Sequence, residues 1–145
     1  MRMHTIASLL AFSISAAAGA QQAASTAAPA YTVAPAYITA AIDDPERAAD
    51  KKDDARRQIA AVMAFTQVKP GDAVLELVPG SGYWTRVFSA IVGTGGHVYT
   101  VWPDEMDKFS TKSYAEWKSL VATPHYKNVS LLKEPAAHLS VPQKV

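Results

Sequence analysis

The sequence predicts an α/β fold built on a parallel sheet. Three observations predict it. Short, β-rich apolar runs alternate with longer segments of helical period. Those runs are almost wholly apolar and end in turn residues, as buried strands do. A tight Gly turn joins the first run directly to a helix, and the order strand, helix, strand, helix, strand implies right-handed crossovers in one sheet. At 145 residues the chain allows about one domain.

Residues 1–20, MRMHTIASLLAFSISAAAGA, read as an export signal. Arg2 gives the positive start, Ile6 to Ala17 carries no charge, and Ala18-Gly19-Ala20 is a small-x-small end. The uncharged run is too short for a stable membrane span, which needs about 20 apolar residues. Cleavage after Ala20 and a periplasmic or secreted protein are the expectation. Residues 21–36, QQAASTAAPAYTVAPA, have no apolar period and read as a low-complexity tether. The domain is then 37–145.

Asp43-Asp44-Pro45-Glu46 is a helix-start pattern, with an acid to cap and Pro for the first turn. A helix, or two with a break, follows to about Phe65. Ile59, Val62, Met63 and Phe65 form its apolar side, and the charged run Asp50 to Arg57 reads as a solvated face. Lys69 to Asp72 is a turn, and Ala73 to Val78 the first strand. Tyr83 to Val92 is a helix with Trp84, Val87, Phe88 and Ile91 on one side. Gly93 stops it. His97 to Val101 is the second strand. Asp104 to Val121 is a crossover with Phe109, Tyr114, Trp117 and Leu120 facing inward, and Val129 to Leu132 is the third strand.

Pro79-Gly80-Ser81-Gly82 is the one motif with specific chemistry. Gly80 and Gly82 can take positive φ and admit a ligand to the backbone, and the next helix offers free N–H groups. A dinucleotide fingerprint needs a Gly where Thr85 stands, and a phosphate loop needs Lys and a hydroxyl after Gly82. On residues alone the loop is either a ligand site or an ordinary turn.

Residues 74–85, VLELVPGSGYWT, resemble the first motif of class I S-adenosylmethionine-dependent methyltransferases. A group of exported bacterial predicted methyltransferases, with a Pro-Gly-x-Gly-Tyr-aromatic-Thr loop, is closer still. The resemblance implies a Rossmann-like, methyltransferase-type sheet and S-adenosylmethionine as cofactor. It implies that Glu76, Pro79, Gly80, Ser81, Gly82 and Tyr83 hold the cofactor, Glu76 through the methionyl ammonium. The bland alternative for Glu76 is a buried carboxylate satisfied by backbone N–H groups. Tyr83 and Trp84 are divided between cofactor and core. The family places an acid at the end of the second strand; here Trp102 stands there, with Asp104 and Glu105 just beyond. Trp102 either stacks on adenine or is buried. After the third strand, Pro135 replaces the family's acid.

The resemblance also implies seven strands, of which this sequence supplies three. The expectation is the cofactor-binding N-terminal part of such a domain, truncated after the third strand and inactive by itself. Its first strand then has an open edge, an invitation to self-association. No catalytic residue and no methyl acceptor can be named. The alternative is an exported nucleotide- or metabolite-binding module, or a non-catalytic interaction module on a degenerate βαβ fold.

Other classes are excluded. Fourteen Lys and Arg against 13 Asp and Glu give no basic nucleic-acid surface. Without Cys there is no disulfide, thiolate metal site or cysteine nucleophile. His97, His125 and His138 are too scattered for a metal. Ser81 has no local base and sits outside a Gly-x-Ser-x-Gly elbow.

Overall fold

The computed structural model describes residues 34–142 and 144–145. Residues 1–20, expected to be an export signal, and nearly all of the expected tether lie outside the described residues. β1 (Ala73–Leu77), β2 (His97–Pro103) and β3 (Val129–Glu134) form a parallel sheet in the order β1-β2-β3. This is the predicted α/β, Rossmann-like arrangement. The helices are α1 (Ala36–Ile42), α2 (Lys51–Arg57), α3 (Ile59–Thr66), α4 (Tyr83–Val92) and α5 (Asp107–Val121).

The register shows which face the crossovers cover. Glu76 of β1 and Thr100 of β2 are register partners and share a face. Glu76 accepts a hydrogen bond from Thr85 of α4, and Thr100 Oγ1 accepts one from Trp117 Nε1 of α5 at 3.3 Å. Both crossovers therefore lie on one side, as right-handed connections require. On that side Val98, Trp102 and Val129 pack with Trp117, Tyr126 and Val92, joined by Val74, Tyr114 and Leu131. α4 carries a second core on its far side, where Val87 and Ile91 meet Ile38 and Ala41 of α1 and Ile59 and Met63 of α3.

Several expectations change. The helix expected to open at Asp43 begins only at Lys51. Asp44 does cap, accepting from the Glu46 N–H at 2.9 Å, but what it caps is a single 3-10 turn, Pro45–Arg47. α1, which lacked any cap signal, precedes it. The break between helices is real: Gln58 sits at φ 49°, ending α2 and starting α3. Phe65 is 80% exposed and Phe109 71% exposed, so neither joins the core assigned to it. Both lie off their helix's buried stripe, which runs through Ile59, Met63 and Ala64 in α3 and through Trp117 in α5.

The charged run is solvated along α2, where no residue is buried, but its N-terminal flank is not. Arg47 is fully buried and Asp50 is 9% exposed. Arg86 of α4 grips Asp50 with two bonds of 2.6 and 2.7 Å, and Arg47 pairs with Asp54 at 2.7 Å. Asp50 and Asp54 are four apart, one helical turn, so one side of the run is an ionic seam against α4. Such a pair is weakly stabilising as a whole, yet removing one partner strands a buried charge at a cost of about 3–5 kcal/mol.

Among the described residues β1 pairs with β2 alone. Leu77 and Val78, at its C-terminal end, are 54% and 41% exposed.

Candidate functional site

The loop after β1 opens at the C-terminal end of the sheet, where open α/β sheets bind ligands. The Val78 N–H still donates to the Val101 carbonyl at 2.9 Å, extending the ladder one residue. Val78 then turns the chain at φ 56°. A β-branched residue in the left-handed region is strained, and such strain concentrates at functional loops. Val78→Gly is expected to stabilise the chain by about 1 kcal/mol, because little packing is lost and the strain goes. Urea denaturation checks this; a loss of stability would show that Val78 is held by packing rather than held in strain.

Gly80 and Gly82 both have positive φ, 58° and 80°, and the Gly82 N–H closes the turn on the Pro79 carbonyl at 2.8 Å. Their surroundings differ. A Cβ on Gly80 would meet nothing within 4 Å, so that face is open to a ligand. A Cβ on Gly82 would lie 2.1 Å from Trp117 Cζ3, so Gly82 admits α5 rather than a ligand. Pro79 is buried and Ser81 exposed. The start of α4 has no side-chain cap, so its first-turn N–H groups remain available.

Glu76 lies beneath this turn, bonded through Oε2 to the Thr85 hydroxyl. Burial pushes its carboxyl up to about 7, against the pull of the Thr85 hydrogen bond and the Arg86 charge. The alternative of backbone N–H partners is not what is found: the partner is a side chain one turn into α4. Thr85 is part of the loop motif in the sequence but is not identified there as the partner of Glu76; a hydroxyl at that place on a helix facing β1 is the signal for it.

Tyr83 is 4% exposed and belongs to the core shared with α1 and α3. Its hydroxyl donates to Asp54 at 2.6 Å. Burial, then the neighbouring Asp54, pushes that phenol up to about 12. Burial alone would raise Asp54, but hydrogen bonds from Arg47 and Tyr83 hold it below the usual carboxylate range. Arg57, read in the sequence only as the end of a solvated charged run, lies over the Tyr83 ring at 4.4 Å and near Trp84 at 5.8 Å.

Trp102 is the second-last residue of β2, beside the loop, but it is 1% exposed and packs edge-on against Tyr114 at 5.5 Å. Its indole nitrogen is buried without a hydrogen-bond partner among the described residues. The ring thus takes the core role of the two weighed for it, and stacking on an adenine requires Tyr114 to move. The acids beyond it are engaged. Lys133 binds Asp104 at 2.9 Å and Asp107 at 2.7 Å, and Glu105 accepts from the Ala136 N–H. The structure therefore gathers Glu76, Gly80, Ser81 and the start of α4 at the turn after β1, and leaves Trp102 inside.

A cleft of about 470 Å³ lies elsewhere, at the C-terminal end of α4, with Tyr37, Asp44 and His125 on its walls. α4 is ten residues long, so this cleft is about 15 Å from the loop. Asn128 on its wall is fully used, donating to the Ser89 and Gly93 carbonyls and bonding the Ser89 hydroxyl.

Comparison with known proteins gives a consistent family. The family model for protein-L-isoaspartate(D-aspartate) O-methyltransferase matches residues 29–133. A protein-L-isoaspartate O-methyltransferase of Ignicoccus hospitalis is 32% identical over 78 residues, 54% of this chain and 34% of that protein. One of Methanosarcina mazei is 36% identical over 81 residues, 55% of this chain and 30% of that protein. The chain spans about a third of the length of these curated relatives. Among solved structures, a SAM-dependent methyltransferase of Aquifex aeolicus is 26% identical with a TM-score of 0.43, covering 76% of this chain and 52% of that one.

Proposed function

The chain belongs to the protein-L-isoaspartate(D-aspartate) O-methyltransferase family, and from that premise we propose that it supplies the cofactor-binding part of an S-adenosylmethionine-dependent methyltransferase. The observation that carries this is the turn itself, which brings together a carboxylate near the end of β1, a glycine with a free face and an uncapped helix start. The cofactor, when bound, supplies an electrophilic methyl group on a sulfonium. Glu76 would hold its ammonium, and Gly80, Ser81 and the first-turn N–H groups of α4 would take its polar atoms. Thr85 orients Glu76. The amino-acid end of the cofactor fits these residues. For the adenosine end, the described residues leave no free carboxylate at the close of β2. The family match favours this reading over the non-catalytic binding or interaction module.

Calorimetric titration with S-adenosylhomocysteine tests it. Binding at or below millimolar concentration is expected, weakened about tenfold or more in Glu76→Ala, since a charge-assisted bond is lost. Absence of binding by the unaltered chain would overturn the proposal. The relatives' name points to an L-isoaspartyl carboxylate as the acceptor class, checked by methyl incorporation into isoaspartyl peptides.

Two further proposals rest on the sequence. The charge, apolar run and small-x-small end of residues 1–20 support export and kinship with the exported bacterial group; cell fractionation with N-terminal sequencing checks both the compartment and cleavage after Ala20. The second edge of β1, unpaired among the described residues and with Leu77 and Val78 exposed, supports self-association. Sedimentation velocity is expected to show dimers or larger species, and a monomer at all concentrations would count against it.

A further inference from the structure

Four arginines lie among the described residues, and three are spoken for. Arg47 pairs with Asp54, Arg56 with Asp53 and Arg86 with Asp50. Arg57 has neither a carboxylate within ion-pair distance nor a hydrogen bond among the described residues. Its Nε is buried and unpartnered, and only the far end of the guanidinium is left for another group. Asp53 feels its charge without bonding to it, so the outer N–H groups of the guanidinium remain unclaimed among the described residues.

Its placement is specific. Arg57 is the last residue of α2, and the left-handed Gln58 breaks the helix directly after it. The guanidinium then rests against Tyr83 and Trp84, the first two residues of α4, which hold it by cation–π contact. Tyr83 is itself fixed by its bond to Asp54. The Arg57 guanidinium thus lies against the start of α4, whose first residue directly follows Gly82 of the loop.

We propose that Arg57 is the carboxylate-binding residue of this site. Its planar fork suits a carboxylate, and the positive start of α4 lies beside it. The proposal rests on the cofactor reading given above and deepens it. A carboxylate can come from the amino-acid end of the cofactor or from an acidic acceptor peptide. Glu76 then takes the ammonium and Arg57 the carboxylate, and the two charges of one amino-acid group are read from opposite sides.

The test uses the full chain, the variants Arg57→Met and Arg57→Lys, and four probes. These are S-adenosylhomocysteine, 5′-methylthioadenosine (which lacks the amino-acid group), an isoaspartyl peptide and acetate. Arg57→Met is expected to weaken S-adenosylhomocysteine about tenfold or more and to leave methylthioadenosine unchanged. Arg57→Lys, which retains the charge, should recover part of the loss and guards against misfolding. If only the peptide weakens, the carboxylate is the acceptor's. The Arg57 side-chain N–H resonance in the unaltered chain gives an independent reading. If S-adenosylhomocysteine does not bind but acetate shifts that resonance saturably, the carboxylate site stands while the cofactor reading falls. Equal affinities in all variants, or a resonance that no carboxylate moves, would overturn the proposal and leave Arg57 as a stacking residue.

Discussion

Glu76→Gln is expected to stabilise the chain at pH 8 by on the order of 3 kcal/mol and to have little effect at pH 4. The sign follows from the buried carboxyl. Its ordinary value is 4.5 and the folded value is about 7. Between those two values the folded state holds the proton that the unfolded state has released. Stability therefore falls as pH rises from about 4.5 to about 7, and above pH 7 the full cost of a buried charge is present. At about 1.4 kcal/mol per pH unit, that difference gives the stated magnitude. Gln removes the charge and still accepts the Thr85 hydroxyl. Urea denaturation at pH 4, 6 and 8 measures it, and parallel curves for the two proteins would refute the assignment. The same variant should lose affinity for S-adenosylhomocysteine. Stability and binding then move in opposite directions, as expected where a site keeps a destabilising group for its ligand.

Gly82→Ala is expected to destabilise by about 3–4 kcal/mol, while Gly80→Ala costs about 1 kcal/mol. Both positions are left-handed, and that conformation alone costs an L-residue about 1–2 kcal/mol. At Gly82 the new methyl also meets the Trp117 ring, with Cζ3 at 2.1 Å and Cε3 at 2.7 Å. Trp117 is 2% exposed and tied to Thr100, so it cannot swing away without opening the core over β2. Overpacking of this kind adds about 1–3 kcal/mol. The sum is a large fraction of the about 5–15 kcal/mol that a domain has. Gly80→Ala should instead act on ligand affinity, because its free face is where the backbone admits the ligand. Thermal unfolding and calorimetric titration of both variants separate these roles. Equal losses of stability would show that the two glycines do one job.

Those two glycines mark how far the sequence can be read. The first two strands, read as 73–78 and 97–101 and found at 73–77 and 97–103, the Gly turn and the amphipathic Tyr83–Val92 helix were all legible, because local period and turn chemistry encode them. Glu76 was legible as a buried carboxylate, since an acid in an apolar strand needs a reason. Gly82 was read as a ligand-facing glycine, and nothing local says that Trp117, 35 residues later, fills its space. Trp102, Phe65 and Phe109 are a single lesson. An aromatic side chain is compatible with core, lid or surface, and the neighbour that decides comes from another element, as Tyr114 does for Trp102.

The charges behave likewise. Asp50, Asp54, Arg47 and Arg57 form one polar run, which by itself describes a wet helix face. Only when α2 meets α4 do Arg86 and Tyr83 arrive to claim the two acids, leaving Arg57 over the aromatic rings with no ion-pair partner among the described residues. The sequence by itself determined the parallel α/β order, the turn and the carboxylate beneath it, because hydrophobic period and backbone conformation are local properties. Tertiary structure alone decided which glycine stays open, which tryptophan is buried and which arginine is left free. Each of those depends on a contact between segments distant in the chain, and the sequence pattern records no such distances.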